Sequence, residues 1–160
     1  MANVSIKGVD RLTKRFNDVA NMELVDIVNK ATQLVHGQAK ALAPTDTGQL
    51  AGSIHMKVKM NKNSVEGRVY TNVEYAPYVE FGTGIKGNGT YPYKVKGLNL
   101  VYKDKGWAYL DEDTGEWIYT KGQEAQPYMY PALKENEKTI KQMFKDGVKT
   151  KLKQSSKGGQ

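Results

Sequence analysis

The chain has no cysteine among its 160 residues. That removes disulfides, thiolate nucleophiles and cysteine-based zinc sites together, and it fits a chain made in a reducing cytoplasm or a particle assembled there. Histidine is nearly absent too. His36 sits beside the apolar stripe of an expected helix and His55 on the polar side of an expected strand, and neither has a second histidine at metal-ligand spacing. Neither is assigned a catalytic or metal role. No apolar run approaches the roughly 20 residues needed to cross a bilayer. Met1 to Lys7 lacks the apolar core of a signal peptide, so nothing points to export. With 39% hydrophobic and 26% charged residues and a mean hydropathy of −0.64, the expected class is a soluble globular domain with one core.

Other patterns are present in letter but not in context. Gly82-Thr83-Gly84-Ile85-Lys86-Gly87 fits G-x-G-x-x-G, yet Asn88-Gly89-Thr90-Tyr91-Pro92 follows. Dinucleotide binding needs those glycines to open a helix that holds the pyrophosphate. Asp111-x-Asp113-x-Gly115 matches the start of a calcium loop, but Gly122 stands where the closing glutamate belongs. A solvated turn is the better reading. Glu80 is a candidate buried acid with no partner carboxylate for acid–base work. No cofactor is expected.

What is there begins with charge. Of the net +7, the stretch from Lys134 to Gln160 supplies +5, through eight lysines against Glu135, Glu137 and Asp146. Such an end meets nucleic acid or an acidic protein surface, or is merely a solvated helix end. Apolar spacing predicts a helix over about Val9–Val19 and a longer one from a cap at Asn21, through Leu24, Ile27, Val28, Ala31, Leu34 and Val35, to Pro44. Pro44 stops it, because proline disfavours helical geometry at Ala43. A polar turn with a short helical restart follows. Ile54–Met60 and Val65–Thr71 alternate as two antiparallel strands around Asn61–Ser64. Tyr78–Phe81 reads as a further short strand ending at Gly82. Trp107–Leu110 and Trp117–Thr120 flank the acidic turn Asp111–Glu116, a hairpin in which facing Trp and Tyr residues would pair across the strands. Two strands alone are marginal in water, so this ribbon must lean on something else. A last helix is expected from Pro131, its apolar face formed by Leu133, Ile140, Met143 or Phe144, and Val148 and weakened by Gly147.

The expected architecture is α+β: an antiparallel sheet packed against the long helix and the C-terminal helix, with an aromatic hairpin inserted. One domain is expected over 1–154, with the insertion at about 85–122 and a flexible tail at 155–160.

Three segments then resemble one family. Ala43-Pro44-Thr45-Asp46-Thr47-Gly48-Gln49-Leu50-Ala51-Gly52-Ser53-Ile54 resembles its APxDTGxLxxSI signature. Tyr75-Ala76-Pro77-Tyr78-Val79-Glu80-Phe81-Gly82-Thr83-Gly84 resembles YAxYVEFGTG, and Ala125-Gln126-Pro127-Tyr128-Met129-Tyr130-Pro131-Ala132-Leu133 resembles AQPFLxPAL. The family is the one typified by gene product ten of phage HK-97, described as neck, head–tail joining or tail-completion proteins. Order and spacing fit over about residues 5–150. Two departures stand out, Tyr128 where phenylalanine is frequent and the long insertion, which is similar to versions from phages of Gram-positive hosts.

The resemblance implies a structural virion protein and no catalytic residues. It implies a ring in the neck of a long-tailed phage, between head connector and tail, assembled in the host cytoplasm. The implied partners are further copies of the chain, head-connector and tail-terminator proteins, and phage DNA in the lumen; no membrane is involved. Residue chemistry assigns Pro44, Asp46, Gly48, Gly82 and Gly84 to turns, with Asp46, Thr45 and Thr47 bonding the backbone. The aromatics Tyr75, Tyr78, Phe81, Trp107, Tyr109, Trp117, Tyr119 and Tyr128 serve either an interface or the monomer fold. Lys138, Lys141, Lys145 and Lys149 face either DNA or an acidic partner. A small basic DNA-binding protein is the alternative reading, and a hydrolase a distant third.

Overall fold

A computed structural model describes residues 9–45, 48–61 and 64–157. The architecture is α+β, with element order α1 (Val9–Leu42), α2 (Gln49–Gly52), β1 (Ile54–Asn61), β2 (Ser64–Thr71), α3 (Ala76–Phe81), α4 (Gly84–Gly87), β3 (Trp107–Leu110), β4 (Trp117–Thr120) and α5 (Met129–Lys157). β1 pairs with β2 and β3 with β4, giving two separate two-stranded sheets. The β1–β2 connection is too short for anything but an antiparallel hairpin; Lys62 and Asn63 of its turn lie outside the described residues.

Three expectations are corrected. The two N-terminal helices are one, α1, which runs 34 residues without a break at Asn21. No proline and no glycine interrupts the chain between Val9 and His36, and an internal asparagine costs a helix well under about 1 kcal/mol. The short strand at Tyr78–Phe81 is instead α3, a helix with Pro77 in its first turn. Its buried residues are Ala76 and Glu80, four apart, which is helical spacing and not strand alternation. Finally, α5 starts at Met129, two residues before Pro131, and runs to Lys157. Serine is tolerated in helices, so Ser155 and Ser156 do not end it.

The chain forms two compact units. One gathers α1 as far as Leu34, the hairpin from Met56 to Arg68, and α5 from Asn136; the other gathers Val35–His55 and Val69–Glu135. In the first, β2 approaches α1 so closely that a Cβ on Gly67 would lie 1.9 Å from Thr32 Oγ1. Thr32 is buried and its hydroxyl donates to the Val28 carbonyl at 2.6 Å. Gly147 of α5 makes room in the same way for Ile27, whose Cδ1 would fall 2.2 Å from an added Cβ. The glycine that weakens α5 as an isolated helix is thus where α1 fits against it.

The second unit has a core of its own. Val35, Ala39, Ala43, Leu50, Ile54, Ala76, Tyr128 and Ala132 are all buried there. Each fully buried large side chain, such as Ile54, contributes about 1.5–3 kcal/mol by leaving water. The first motif supplies the corner of this core. α1 ends at Leu42, just before Pro44. Gly48 turns the chain with φ +69°, a left-handed conformation that other residues resist. Asp46 and Thr47, expected to bond the turn's backbone, lie outside the described residues. Ser53 Oγ donates to the Leu50 carbonyl and meets Thr71 Oγ1 at 2.7 Å. His36 Nε2 lies 2.9 Å from the Ile54 carbonyl, which can only accept, so that nitrogen carries the proton. His36 therefore ties α1 to β1.

Candidate functional site: an aromatic groove beside a backbone clasp

The second and third motifs meet in the second unit. Glu80 of α3 is 5% exposed, and its carboxylate accepts the backbone N–H groups of Tyr128 at 2.8 Å, Met129 at 2.9 Å and Tyr130 at 3.1 Å. These are orphan donors of the α5 N-terminus, which no intrahelical carbonyl can reach. A negative charge there is favoured by the helix dipole and by three charge-assisted bonds. Glu80 is a helix cap delivered from 48 residues away. A sequence signal for it existed: Gln126-Pro127-Tyr128 offers no Ser, Thr, Asp or Asn to cap the helix locally, so the acceptor had to come from elsewhere.

Backbone pairing extends the contact. Thr83 N donates to the Gln123 carbonyl at 2.8 Å and Gln123 N to the Thr83 carbonyl at 3.2 Å; Gln126 N donates to Val79 at 2.8 Å. Two chains this close leave no room for side chains at the crossing. A Cβ on Gly122 would sit 1.9 Å from the Thr83 carbonyl oxygen, and one on Gly84 2.5 Å from that of Lys121. Both glycines also have positive φ. The glycine pattern that fits a nucleotide fingerprint is therefore part of a backbone clasp.

Beside the clasp lies a groove of about 820 Å³, walled by Tyr75, Tyr78, Phe81, Val101, Tyr102 and Trp107 among others. Tyr102 donates its hydroxyl to the Phe81 carbonyl at 2.8 Å. The Lys103 ammonium stands 4.8 Å over the Trp107 ring, a cation–π distance. From Phe81 of the groove wall, Tyr91, Tyr93 and Tyr130 follow in series, two edge-to-face contacts and one tilted, with successive centroids 5.0, 5.6 and 4.9 Å apart. Burial raises the Tyr91 hydroxyl well above its ordinary pKa, with the Glu80 charge adding to it. Tyr128 is pushed up to about 12 by burial, then by Glu80 and Tyr75. Sequence reasoning missed this series, since Tyr91 and Tyr93, which link Phe81 to Tyr130, sit in an insertion with no regular period.

Of the eight aromatics singled out from sequence, four are gathered at the groove: Tyr75, Tyr78, Phe81 and Trp107. Tyr109, Trp117 and Tyr119 are exposed on the hairpin. Tyr128 is 1% exposed and belongs to the core, so of its two expected roles it serves the monomer fold; Glu80 accepts its backbone N–H. The hairpin register also departs from expectation. Trp107 faces Thr120, Tyr109 faces Ile118 and Trp117 faces Leu110, so no two aromatics are directly opposite. Because side chains alternate, Trp107 and Tyr109 share one face, and Trp117 and Tyr119 the other.

On α5, Lys138, Lys141, Lys145 and Lys149 are exposed. Spaced three and four apart, they fall within an arc of about 80° at 3.6 residues per turn. Lys141 is paired with Glu137. Among the described residues no group of three or more His, Cys, Asp or Glu is placed to hold a metal ion, and no helix is long and apolar enough to cross a membrane.

Comparison with known proteins fits this picture. Residues 7–82 match the model of a family described as "Bacteriophage HK97-gp10, putative tail-component", which is the family the three motifs resemble. No curated protein and no solved structure matches the chain. Over residues 7–82, 76 of the 160, the chain is thus similar to a family of bacteriophage tail components. α1 to α3 lie inside this HK97-gp10-like match, with the first motif whole and the second as far as Gly82.

Proposed function

We propose that the protein is a ring-forming subunit of the head–tail neck of a long-tailed phage, joining or completing the tail and letting DNA pass. The observation that carries this is the pairing of a tail-component match over residues 7–82 with an aromatic surface left open beside the clasp. Tyr78, Trp117 and Tyr119 are exposed, and rigid amphipathic rings of this kind are favoured at protein interfaces. Ring closure requires one surface of a subunit to meet a different surface of the next. The groove and the hairpin are those aromatic surfaces, and the lysine stripe of α5 faces DNA or an acidic partner. The clasp holds the groove wall rigid, which lowers the entropy lost on docking.

Light scattering on the purified protein, alone and mixed with head-connector and tail components, tests this reading. A closed multimer, formed alone or on mixing, is expected. A persistent monomer that ignores those partners and binds DNA with a steep salt dependence would favour the small basic DNA-binding protein, whose affinity comes from counterion release. The observation on that side is the lysine stripe.

A further inference from the structure

The outward face of the hairpin is unpartnered. Leu110 lies opposite Trp117 and Ala108 opposite Tyr119, and Leu110, Trp117 and Tyr119 are 49%, 73% and 65% exposed. This apolar face ends in an acidic tip, Asp111, Glu112, Asp113 and Glu116 within six residues. Asp111 is committed to the turn itself: its Oδ1 accepts the N–H groups of Asp113 at 3.0 Å and Thr114 at 3.1 Å. Two backbone bonds between Asp111 and Glu116 or Gly115 close the loop. The remaining carboxylates, on Glu112, Asp113 and Glu116, are thus held on a fixed turn, exposed, and in no ion pair among the described residues.

The same chain carries the complementary surface. Lys138, Lys145 and Lys149 are exposed and likewise in no ion pair among the described residues. From Lys138 to Lys149 the stripe extends about 16 Å along the helix at 1.5 Å per residue. Val148, 57% exposed, is a helical neighbour of Lys145 at three residues' distance. The stripe therefore offers apolar contact as well as charge, since lysine stems cover apolar surface while their ammonium groups stay wet.

We propose that the hairpin of one copy docks on the Lys138–Lys149 stripe of a second copy, tip carboxylates on ammonium groups and Trp117 against Val148 and the lysine stems. The contact is heterologous, so repeating it closes a ring or extends a filament. It rests on the ring reading above and assigns its two faces. It also gives the stripe a protein partner in place of DNA. Opposed charges of this kind fix register and speed encounter, and at about 0.1 M salt they are screened beyond roughly 10 Å.

The test is charge reversal in the full chain, read by sedimentation and by circular dichroism to confirm folding. One variant reverses the tip (Glu112→Lys, Asp113→Lys, Glu116→Lys), leaving Asp111 to hold the turn; the other reverses the stripe (Lys138→Glu, Lys145→Glu, Lys149→Glu). The wild-type chain is expected to self-associate at low salt. Each variant alone should associate at least about tenfold more weakly. An equimolar mixture should restore assembly with the two variants alternating, because the wild-type tip of one fits the wild-type stripe of the other and the reversed tip fits the reversed stripe. The absence of native cysteine allows a second measurement: Glu112→Cys in one copy and Lys145→Cys in another should form a disulfide between copies. Wild-type assembly that ignores both reversals, with no cross-link, overturns this contact and leaves the ring reading standing. Stripe reversal that abolishes DNA binding without weakening association also overturns it. A wild-type chain that associates neither with itself nor with connector or tail components overturns both.

Discussion

The clasp and the hairpin are neighbours in one unit and opposites in construction. At the clasp, a buried carboxylate takes three backbone donors and two strands of backbone run too close for side chains. On the hairpin, four-residue strands carry Trp117, Tyr119 and Leu110 with large parts of their surface in water. The first region spends its polar and apolar groups on the chain itself. The second leaves them unspent, which is what a surface kept for other molecules looks like, because exposed apolar patches are costly to keep without a use.

That contrast breaks most easily at Glu80. Glu80→Ala strands three donors, that of Tyr128 buried and those of Met129 and Tyr130 part-buried; a buried one costs about 1–3 kcal/mol, so chemical denaturation should show a loss of about 2–4 kcal/mol. Glu80→Gln keeps one acceptor oxygen and should lose less, about 1–3 kcal/mol. If alanine costs no more than an ordinary surface change, the cap is not what holds α3 to α5.

The tyrosines behind the clasp predict an intermediate effect at high pH. Tyr128 titrates near 12 in the folded chain and about 10 in an unfolded one. A raised folded pKa means that the folded state keeps its proton longer. The stability this gives is complete below about pH 10 and is lost as pH rises through about 12. Alkaline unfolding should therefore coincide with a late tyrosinate absorbance step, and Tyr128→Phe should remove part of that step. A step that finishes near the ordinary tyrosine pKa, before unfolding, would contradict the buried placement.

The smallest effect on stability is expected at the hairpin. Trp117→Ser should change the unfolding free energy by no more than about 0.5 kcal/mol, as for other surface changes, while sharply weakening association with other copies or neck partners. A large loss of stability in the isolated chain would mean that Trp117 belongs to the monomer fold.

The fold was legible where pattern and length were generous. The stripe ending at Pro44 located the end of α1, alternation from Ile54 to Thr71 located the first hairpin, and the acidic turn located the second. Reading failed where the deciding partner was remote. Tyr78–Phe81 is too short to show a period, and its helix depends on Pro77 and on the distant α5 backbone that Glu80 meets. Asn21 ends no helix because no proline or glycine stands beside it to break α1. Of the candidate site, the groove aromatics were visible one at a time, but their convergence was not. It depends on Gly82, Gly84 and Gly122 letting two backbone segments 40 residues apart come together.

The most direct test of the central claim is imaging of the assembled virion with single-particle averaging at the head–tail joint. The account predicts a ring of copies of this chain between connector and tail, around the DNA path. Its absence from the joint, with the chain found elsewhere or lost from the purified particle, would contradict it.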